Sequence, residues 1–165
     1  MHLLKDGRLA IDSWMLLQDA VDVVPDSGDV IVPMQHWSAR RETLLRRSGR
    51  NGLWLSSEDE IESVAQDIAH CAVIVLEFSS STDGRHYSNA RLLRERYAYS
   101  SELRASGEVL RDQLFYLTRC GFDSFLLADD CDLEDFLRGR EDFSSVYQYA
   151  TDDLVPAYRR RAGAV

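Results

Sequence analysis

The sequence predicts a single α/β domain over residues 1–165 with a mainly parallel sheet, and two observations carry this prediction. Apolar runs rich in β-branched residues alternate about five times with segments whose apolar residues recur at helical spacing. The connections between these segments are short, which is typical of successive β-α units in one sheet. The pattern fits two arrangements of the sheet: an open three-layer sheet, or a half-length β/α barrel. A half barrel would leave its edge strands exposed and would favour a homodimer.

The first part of the chain is expected to supply the edge of the sheet. Residues 1–28 should form an edge strand or hairpin, since apolar and polar residues alternate loosely before a turn at 25–28. A buried strand at 30–32, a helix capped by Ser38 and a short strand at 53–55 follow. Ser57 and Glu60 have capping-box spacing, which predicts a helix with four inward residues. These are Ile61, Val64, Ala65 and Ile68.

The middle of the chain carries the clearest pattern. Residues 72–78 form a continuous apolar run that predicts a strand buried on both faces. A helix follows the loop at 79–85, and residues 102–106 then alternate like a short strand. Gly107 is expected to open the next helix, which ends at Gly121 before another strand. Further on, a helix starting at Asp132 and a mostly helical segment over 146–161 are predicted, with residues 159–165 as a frayed tail.

Composition narrows the class of function. The formal charge of −9 argues against a nucleic-acid partner, which would need a basic face. No secretory signal and no run of membrane-spanning length is visible, so a cytoplasmic protein is expected. Three cysteines without CxxC spacing indicate free thiols and no metal site. No dinucleotide or phosphate-loop motif is present, so the sequence identifies no cofactor.

An arginine-rich stretch suggests a site for a small oxyanion. Seven arginines lie between Arg85 and Arg119, whereas the chain contains one lysine. Guanidinium groups suit bidentate binding of carboxylates, phosphates and sulfur oxyanions. The alternative is that Arg94, Arg96, Arg111 and Arg119 are exposed helix residues paired with neighbouring acids.

Two arginines of the stretch fall where ligands bind in parallel sheets. Asp83 and Arg85 lie in the loop that leaves the carboxyl end of the strand at 72–78. Ser88 and Arg91 lie on the polar side of the next helix, although Asp83 or Ser88 could instead cap it. These positions predict Arg85, Ser88 and Arg91 as ligand-binding residues and Asp83 as a catalytic acid or base.

The neighbouring strand and helix supply the other candidates. Arg104 lies inside a strand, where a charge is costly unless paired. It is therefore in a satisfied ion pair, with Glu102 or Glu77, or exposed in a ligand cleft. Gly107 would present free helix amides to an anion, with Gln113 beside it and Asp112 as a second proton-handling group. Asp112 could equally be a structural partner of Arg111 or Arg85.

The central residues resemble the bacterial DUF934 family. The resemblance is carried by Asp83-Gly84-Arg85, Tyr87-Ser88, residues 90–94, residues 102–105, Gly107, residues 109–114 and residues 119–123. Two departures are a loop with Ser79 and Ser81 where the family tends to have Pro and an aromatic residue, and Ala98 and Ser101 where it tends to have Gly.

The resemblance implies a pathway rather than a reaction. Members of the family are usually described as probable oxidoreductases involved in sulfite reduction, associated with the assimilatory sulfite reductase. The expectation that follows is an accessory or partner of sulfite reductase or its electron donor, in preference to an autonomous reductase. The alternative is a stand-alone anion-binding α/β enzyme, a lyase or isomerase acting on a phosphorylated or sulfonated metabolite.

Overall fold

The computed structural model describes residues 1–17, 24–152 and 154–161. Its described strands form one mixed sheet in the order β2-β1-β8-β7-β6-β5-β4-β3. They are β1 (His2–Lys5), β2 (Arg8–Ala10), β3 (Met15–Leu16), β4 (Val30–Pro33), β5 (Asn51–Leu55), β6 (Cys71–Phe78), β7 (Glu102–Gly107) and β8 (Ser124–Leu127). The described α-helices are α1 (Met34–Arg46), α2 (Arg85–Arg91), α3 (Leu114–Arg119), α4 (Leu133–Arg138) and α5 (Ala157–Arg161). Part of the predicted tail, residues 162–165, lies outside the described residues.

The amino-terminal hairpin forms one edge of the sheet. Strands β1 and β2 pair antiparallel, and β1 also pairs antiparallel with β8. Asp6 and Gly7 connect the two strands with positive φ angles of 50° and 76°, which is the geometry of the tight turns that match the twist of a hairpin.

The other six strands are parallel and follow the order of the chain from β3 to β8. The helices pack with alternate strand residues in one large apolar core. A smaller cluster on the other face contains strand residues and Trp14, and no helix residue. The protein is therefore an α/β domain with a curled, half-barrel sheet, and the open three-layer alternative is wrong.

One predicted helix is replaced by two tight turns. Between β5 and β6 the chain forms 3-10 turns at Ile61–Val64 and Ile68–His70. Ser57 does not cap them, because its hydroxyl donates to the carbonyl of Glu77 at 3.2 Å. Asp59 is likewise engaged with Ser56, whose amide it accepts at 2.7 Å. Of the predicted inward residues, Ile61, Val64 and Ile68 are buried and Ala65 is partly buried.

Other boundaries also differ from the prediction. Helix α1 begins at Met34, directly after Pro33, so Ser38 lies within it. Gly107 ends β7 rather than opening a helix, and α3 begins at Leu114 after a 3-10 turn over Arg111–Gln113. Of the predicted helical segment 146–161, the described residues 146–152 and 154–156 are irregular, and only α5 is helical. Pro156 immediately precedes that helix, which is where a proline is tolerated.

Candidate functional site

The inner face of the sheet, against which none of the described helices packs, holds a buried ion network around Arg104. Its side chain is 1% exposed. The guanidinium donates to Glu102 Oε1 from Nε at 2.9 Å and from Nη2 at 2.8 Å, and to Asp12 Oδ2 from Nη1 at 2.9 Å. The ion-pair alternative for Arg104 is the one found, and the partner is Glu102 rather than Glu77.

Glu102 is the centre of this network. Besides Arg104, it accepts hydrogen bonds from Lys5 Nζ at 2.7 Å and Ser124 Oγ at 2.9 Å. Burial by itself would raise the pKa of the Glu102 carboxyl, but the bonds from Lys5 and Arg104 leave that pKa below its usual value. The carboxylate is therefore ionised at neutral pH and holds three strands together.

In the loop after β6, Asp83 and Arg85 bind each other. Arg85 donates from Nε to Asp83 Oδ1 at 3.0 Å and from Nη2 to Oδ2 at 2.7 Å, and its amide donates to Oδ1 at 3.1 Å. The guanidinium holds the pKa of Asp83 well below its usual range. A carboxylate with so low a pKa is a weak general base at neutral pH, so this geometry favours a structural, turn-forming role for Asp83.

Gly107 and Gln113 fasten this loop to the one that follows β7. At Gly107, φ is +85° and an added Cβ would meet the carbonyl oxygen of Phe78 at 2.3 Å, so the close approach of the two strand ends requires glycine. Gln113 donates from Nε2 to the carbonyl of Ser81 at 2.6 Å and accepts the amide of Leu110 at 3.1 Å. Both residues have structural partners in this arrangement.

The remaining predicted residues are on the surface. Arg91 pairs with Glu95 one turn along the helix at 2.9 Å, with both side chains about half exposed. Ser88 and Asp112 are exposed. The structure thus brings Asp83 and Arg85 together and sets Gly107 and Gln113 against the same loop, whereas Arg104 binds Asp12 and Glu102 instead. The ligand-binding and catalytic roles stay predictions.

Two further arginines of the stretch act as long-range clamps rather than exposed helix residues. Arg94 donates to the carbonyl of Gly121 at 2.8 Å and to Asp123 Oδ2 at 2.8 Å. Arg119 is 7% exposed and binds Asp152 Oδ2 through Nε at 2.8 Å. The sequence spacing between these partners gave no local signal of either contact.

A pocket of about 260 Å³ opens at the carboxyl edge of the parallel strands. Its lining residues come from the carboxyl ends of β3 to β6, the first turn of α1 and the loop after β5: Leu16, Pro33, Met34, Gln35, Trp54, Ser56, Asp59 and Glu77. Within it the indole of Trp54 donates to Glu77 Oε2 at 2.9 Å. Such an edge is the usual ligand position in parallel sheets. Sequence reasoning missed this pocket, although Glu77 in an otherwise apolar strand was a usable signal for a polar inner face.

His86 is a buried titratable group close to this edge. Its side chain is 1% exposed and packs edge-on against Phe78, with ring centroids 5.4 Å apart. Nδ1 lies 3.2 Å from the side-chain nitrogen Nδ2 of Asn89, and Nε2 has no hydrogen-bond partner among the described residues. Burial lowers the pKa of His86, so the imidazole is neutral at pH 7.

The cysteines are separate free thiols. Burial raises the pKa of Cys71 to about 12 and also raises the pKa values of Cys120 and Cys131, which makes all three poor nucleophiles at neutral pH. In residues 1–17, 24–152 and 154–161, no three His, Cys, Asp or Glu side chains are placed to hold a metal ion.

Comparison with known proteins gives one match. The model of the family described as "Bacterial protein of unknown function (DUF934)" matches residues 52–158. No curated protein and no solved structure matches the chain. Across the described part of the chain, no helix has the length and apolar character needed to cross a membrane. Because the match spans well over half of the sequence and includes β5 to β8, the chain belongs to the DUF934 family.

Proposed function

We propose that this protein serves assimilatory sulfite reduction in the cytoplasm as an accessory or partner of sulfite reductase or its electron donor. The pathway comes from the descriptions usual for the family that the sequence resembles. The preference for a partner over an autonomous enzyme rests on one observation: the arginines that would hold sulfite have internal acceptors. Arg85, Arg91 and Arg104 each bind a carboxylate of the same chain.

The contacts of Arg104 are the strongest support for a partner role over an autonomous enzyme. To bind an external oxyanion, its guanidinium would have to release Glu102, whose side chain is 7% exposed. Glu102 would keep its bonds from Lys5 and Ser124 but lose both bonds from Arg104, and breaking a buried ion pair costs about 3–5 kcal/mol. A small anion that makes two or three hydrogen bonds does not offset that cost, so catalysis at Arg104 is disfavoured.

The test is genetic and biochemical. A strain lacking this gene is grown with sulfate, sulfite, sulfide or cysteine as the only sulfur source, with the restored gene as control. We expect rescue by sulfide and cysteine but not by sulfite. Extracts of the strain should have reduced sulfite reductase activity that purified protein restores, while the protein alone should not consume sulfite with reduced methyl viologen. Normal growth on all four sulfur sources, in a strain that carries no second copy of the gene, would show that the assignment to sulfite reduction is wrong.

The edge pocket supports a second candidate, a stand-alone α/β enzyme acting on a phosphorylated or sulfonated metabolite. The position of the pocket is favourable, but Asp59 and Glu77 line it and their charges would repel an anion, so we rank this function second. Calorimetric titration with sulfate and phosphate tests it. Binding that Glu77→Gln strengthens would favour this enzyme, and absence of heat at millimolar anion would count against it.

A further inference from the structure

The carboxyl-terminal part of the chain forms an apolar groove outside the sites described above. The groove has a volume of about 450 Å³. Its lining residues come from α3, the segment after α4, the approach to α5 and α5 itself: Phe115, Arg140, Phe143, Ser144, Val146, Leu154, Val155 and Arg160. Phe115 and Phe143 pack against each other with ring centroids 5.0 Å apart and form an aromatic wall.

The groove is rich in the residues that dominate protein–protein contacts. Phe143 is 60% exposed and Leu154 is 49% exposed, and Tyr147 and Tyr158 nearby in the chain are also largely exposed. Exposed aromatic residues beside arginines are the composition of interface hot spots. Burying Phe143 and Leu154 against a partner would remove apolar surface from water, which supplies the driving force for association.

The charge of the groove selects the partner. Arg140 and Arg160 both line it and both are exposed. Neither has a carboxylate partner within residues 1–17, 24–152 and 154–161, whereas Arg111 and Arg119 bind Asp142 and Asp152. In a chain whose formal charge is −9, two guanidinium groups that have no carboxylate partner in the described part of the chain lie beside an apolar groove and are complementary to an acidic segment.

The groove is held in shape before any partner arrives. Arg119 donates to the carbonyl of Gln148 at 2.6 Å and to Asp152, and its own carbonyl accepts the amide and the hydroxyl of Thr151 at 3.1 and 2.8 Å. The amide of Ala157 donates to the carbonyl of Val146 at 2.7 Å. These contacts fix the irregular segment, so binding loses less conformational entropy than it would with a loose tail.

We propose that this groove binds an acidic segment of a partner protein, with an apolar side chain between Phe143 and Leu154 and flanking carboxylates at Arg140 and Arg160. The inference rests on the proposed function, because it gives the surface by which an accessory protein would dock. Its chemistry, an apolar anchor between two acids, applies to any partner that presents such a segment.

A peptide titration tests the groove without reference to sulfite. The probe is the fluorescein-labelled hexapeptide Glu-Glu-Leu-Phe-Glu-Glu, followed by fluorescence anisotropy with the full chain at low salt. We expect binding that Arg140→Glu with Arg160→Glu weakens more than about tenfold and that added salt weakens. Leu154→Ala should weaken it through lost apolar contact. The matched control is Arg8→Glu on the exposed strand β2, which should bind like wild type.

The outcomes separate this inference from the proposed function. If the acidic peptide does not bind, or if the double variant binds it as well as wild type, the proposed binding role of the groove is wrong, whatever the result of the growth experiment. Purified sulfite reductase is then titrated with the same variants. If it binds the wild type and the double variant equally, the groove is not the docking surface, but the proposed function stands. If the peptide binds as expected and the reductase does not, the groove is supported as a binding site for acidic segments, and the proposal that sulfite reductase is the partner is wrong. A wild-type dimer in sedimentation that the double variant dissociates would assign the groove to a second copy and overturn the proposal.

Discussion

Arg104 Nη1 donates to Asp12 Oδ2 at 2.9 Å across 92 positions of sequence. Asp12 lies between β2 and β3, and its other carboxylate oxygen accepts the amide of Trp14 at 3.2 Å. The pair thus draws the amino-terminal segment to the inner face of the sheet, where Trp14 packs near Val73 and Val75. One ion pair at the centre of the sheet positions the segment that borders that face.

Replacing the central arginine should destabilise the protein strongly. In Arg104→Ala, the buried carboxylate of Glu102 loses two hydrogen bonds but keeps those from Lys5 and Ser124, while Asp12 loses its ion pair. The free energy of unfolding should therefore fall by about 3 kcal/mol, the lower end of the cost of breaking a buried ion pair. Urea unfolding followed by circular dichroism measures this change. The control is Arg85→Ala, whose guanidinium is 59% exposed and whose loss should leave the midpoint close to wild type. Equal, small effects of both variants would show that the Arg104 network is not a stabilising element.

The close approach at Gly107 predicts a position-specific effect of a methyl group. Gly107→Ala places Cβ against the Phe78 carbonyl at a backbone angle that alanine disfavours, so stability should fall by at least about 2 kcal/mol. Gly84→Ala is the matched control, since its added Cβ meets no atom within 4 Å and it should be neutral or slightly stabilising. Thermal unfolding of the two variants compares them. A neutral Gly107→Ala would contradict the geometry of this joint.

Ala98 offers a gain in stability. Its φ angle is +50°, a left-handed conformation that costs alanine about 1 kcal/mol relative to glycine. We expect Ala98→Gly to raise the free energy of unfolding by roughly that amount. Ala90→Gly, inside α2 at a fully buried position, should do the opposite. Denaturant unfolding midpoints of the two variants measure both effects, and destabilisation by Ala98→Gly would contradict the proposed backbone strain at Ala98.

His86 should make stability depend on pH. Burial lowers its pKa in the folded protein, and of the nearby charged groups Asp83 and Asp59 oppose that shift while Arg85 adds to it. The unfolded chain therefore binds a proton that the folded chain does not once the pH falls below about 6.5, the ordinary histidine pKa. The free energy of unfolding is unaffected well above that pH and decreases as the pH is lowered from it toward the folded pKa.

The measurement is a series of urea midpoints between pH 5 and pH 8. His86→Leu should flatten this part of the profile, whereas Ser88→Ala, at an exposed position of the same helix, should leave the shape of the wild-type profile unchanged. A wild-type profile that is flat below pH 6.5, or one that His86→Leu does not alter, would mean that the imidazole is protonated without cost in the folded state.

Arg119 should control the order of the carboxyl-terminal segment. Arg119→Ala removes the bonds to Asp152 and Gln148, so amide hydrogen exchange should speed up across residues 143–158 while the sheet stays protected. Arg138→Ala, which breaks only an exposed pair one helical turn apart, is the control and should exchange like wild type. Uniform acceleration across the whole chain would indicate global destabilisation instead of local release.

The sequence was most informative where local patterns dominate. Apolar runs and alternation predicted β6 and β7 closely, because strand residues face the core at every second position whatever their partners are. It failed where side chains choose distant partners. Ser57 donates to a carbonyl of β6, and two 3-10 turns replace the helix that its capping box predicted. Pro156 was a local signal against a long final helix, and the prediction for residues 146–161 did not take it into account.

The sequence by itself determined the α/β class, the order of most strands and helices, and the family. The tertiary structure alone decided that the described helices cover one face of a half-barrel sheet and which distant carboxylates Arg104 and Arg119 bind. The physical reason is that burial periodicity is local, whereas an ion pair depends on which strands lie side by side. Asp12 reaches Arg104, and Lys5 reaches Glu102, because the antiparallel hairpin pairs with β8; no short window of sequence encodes these two contacts.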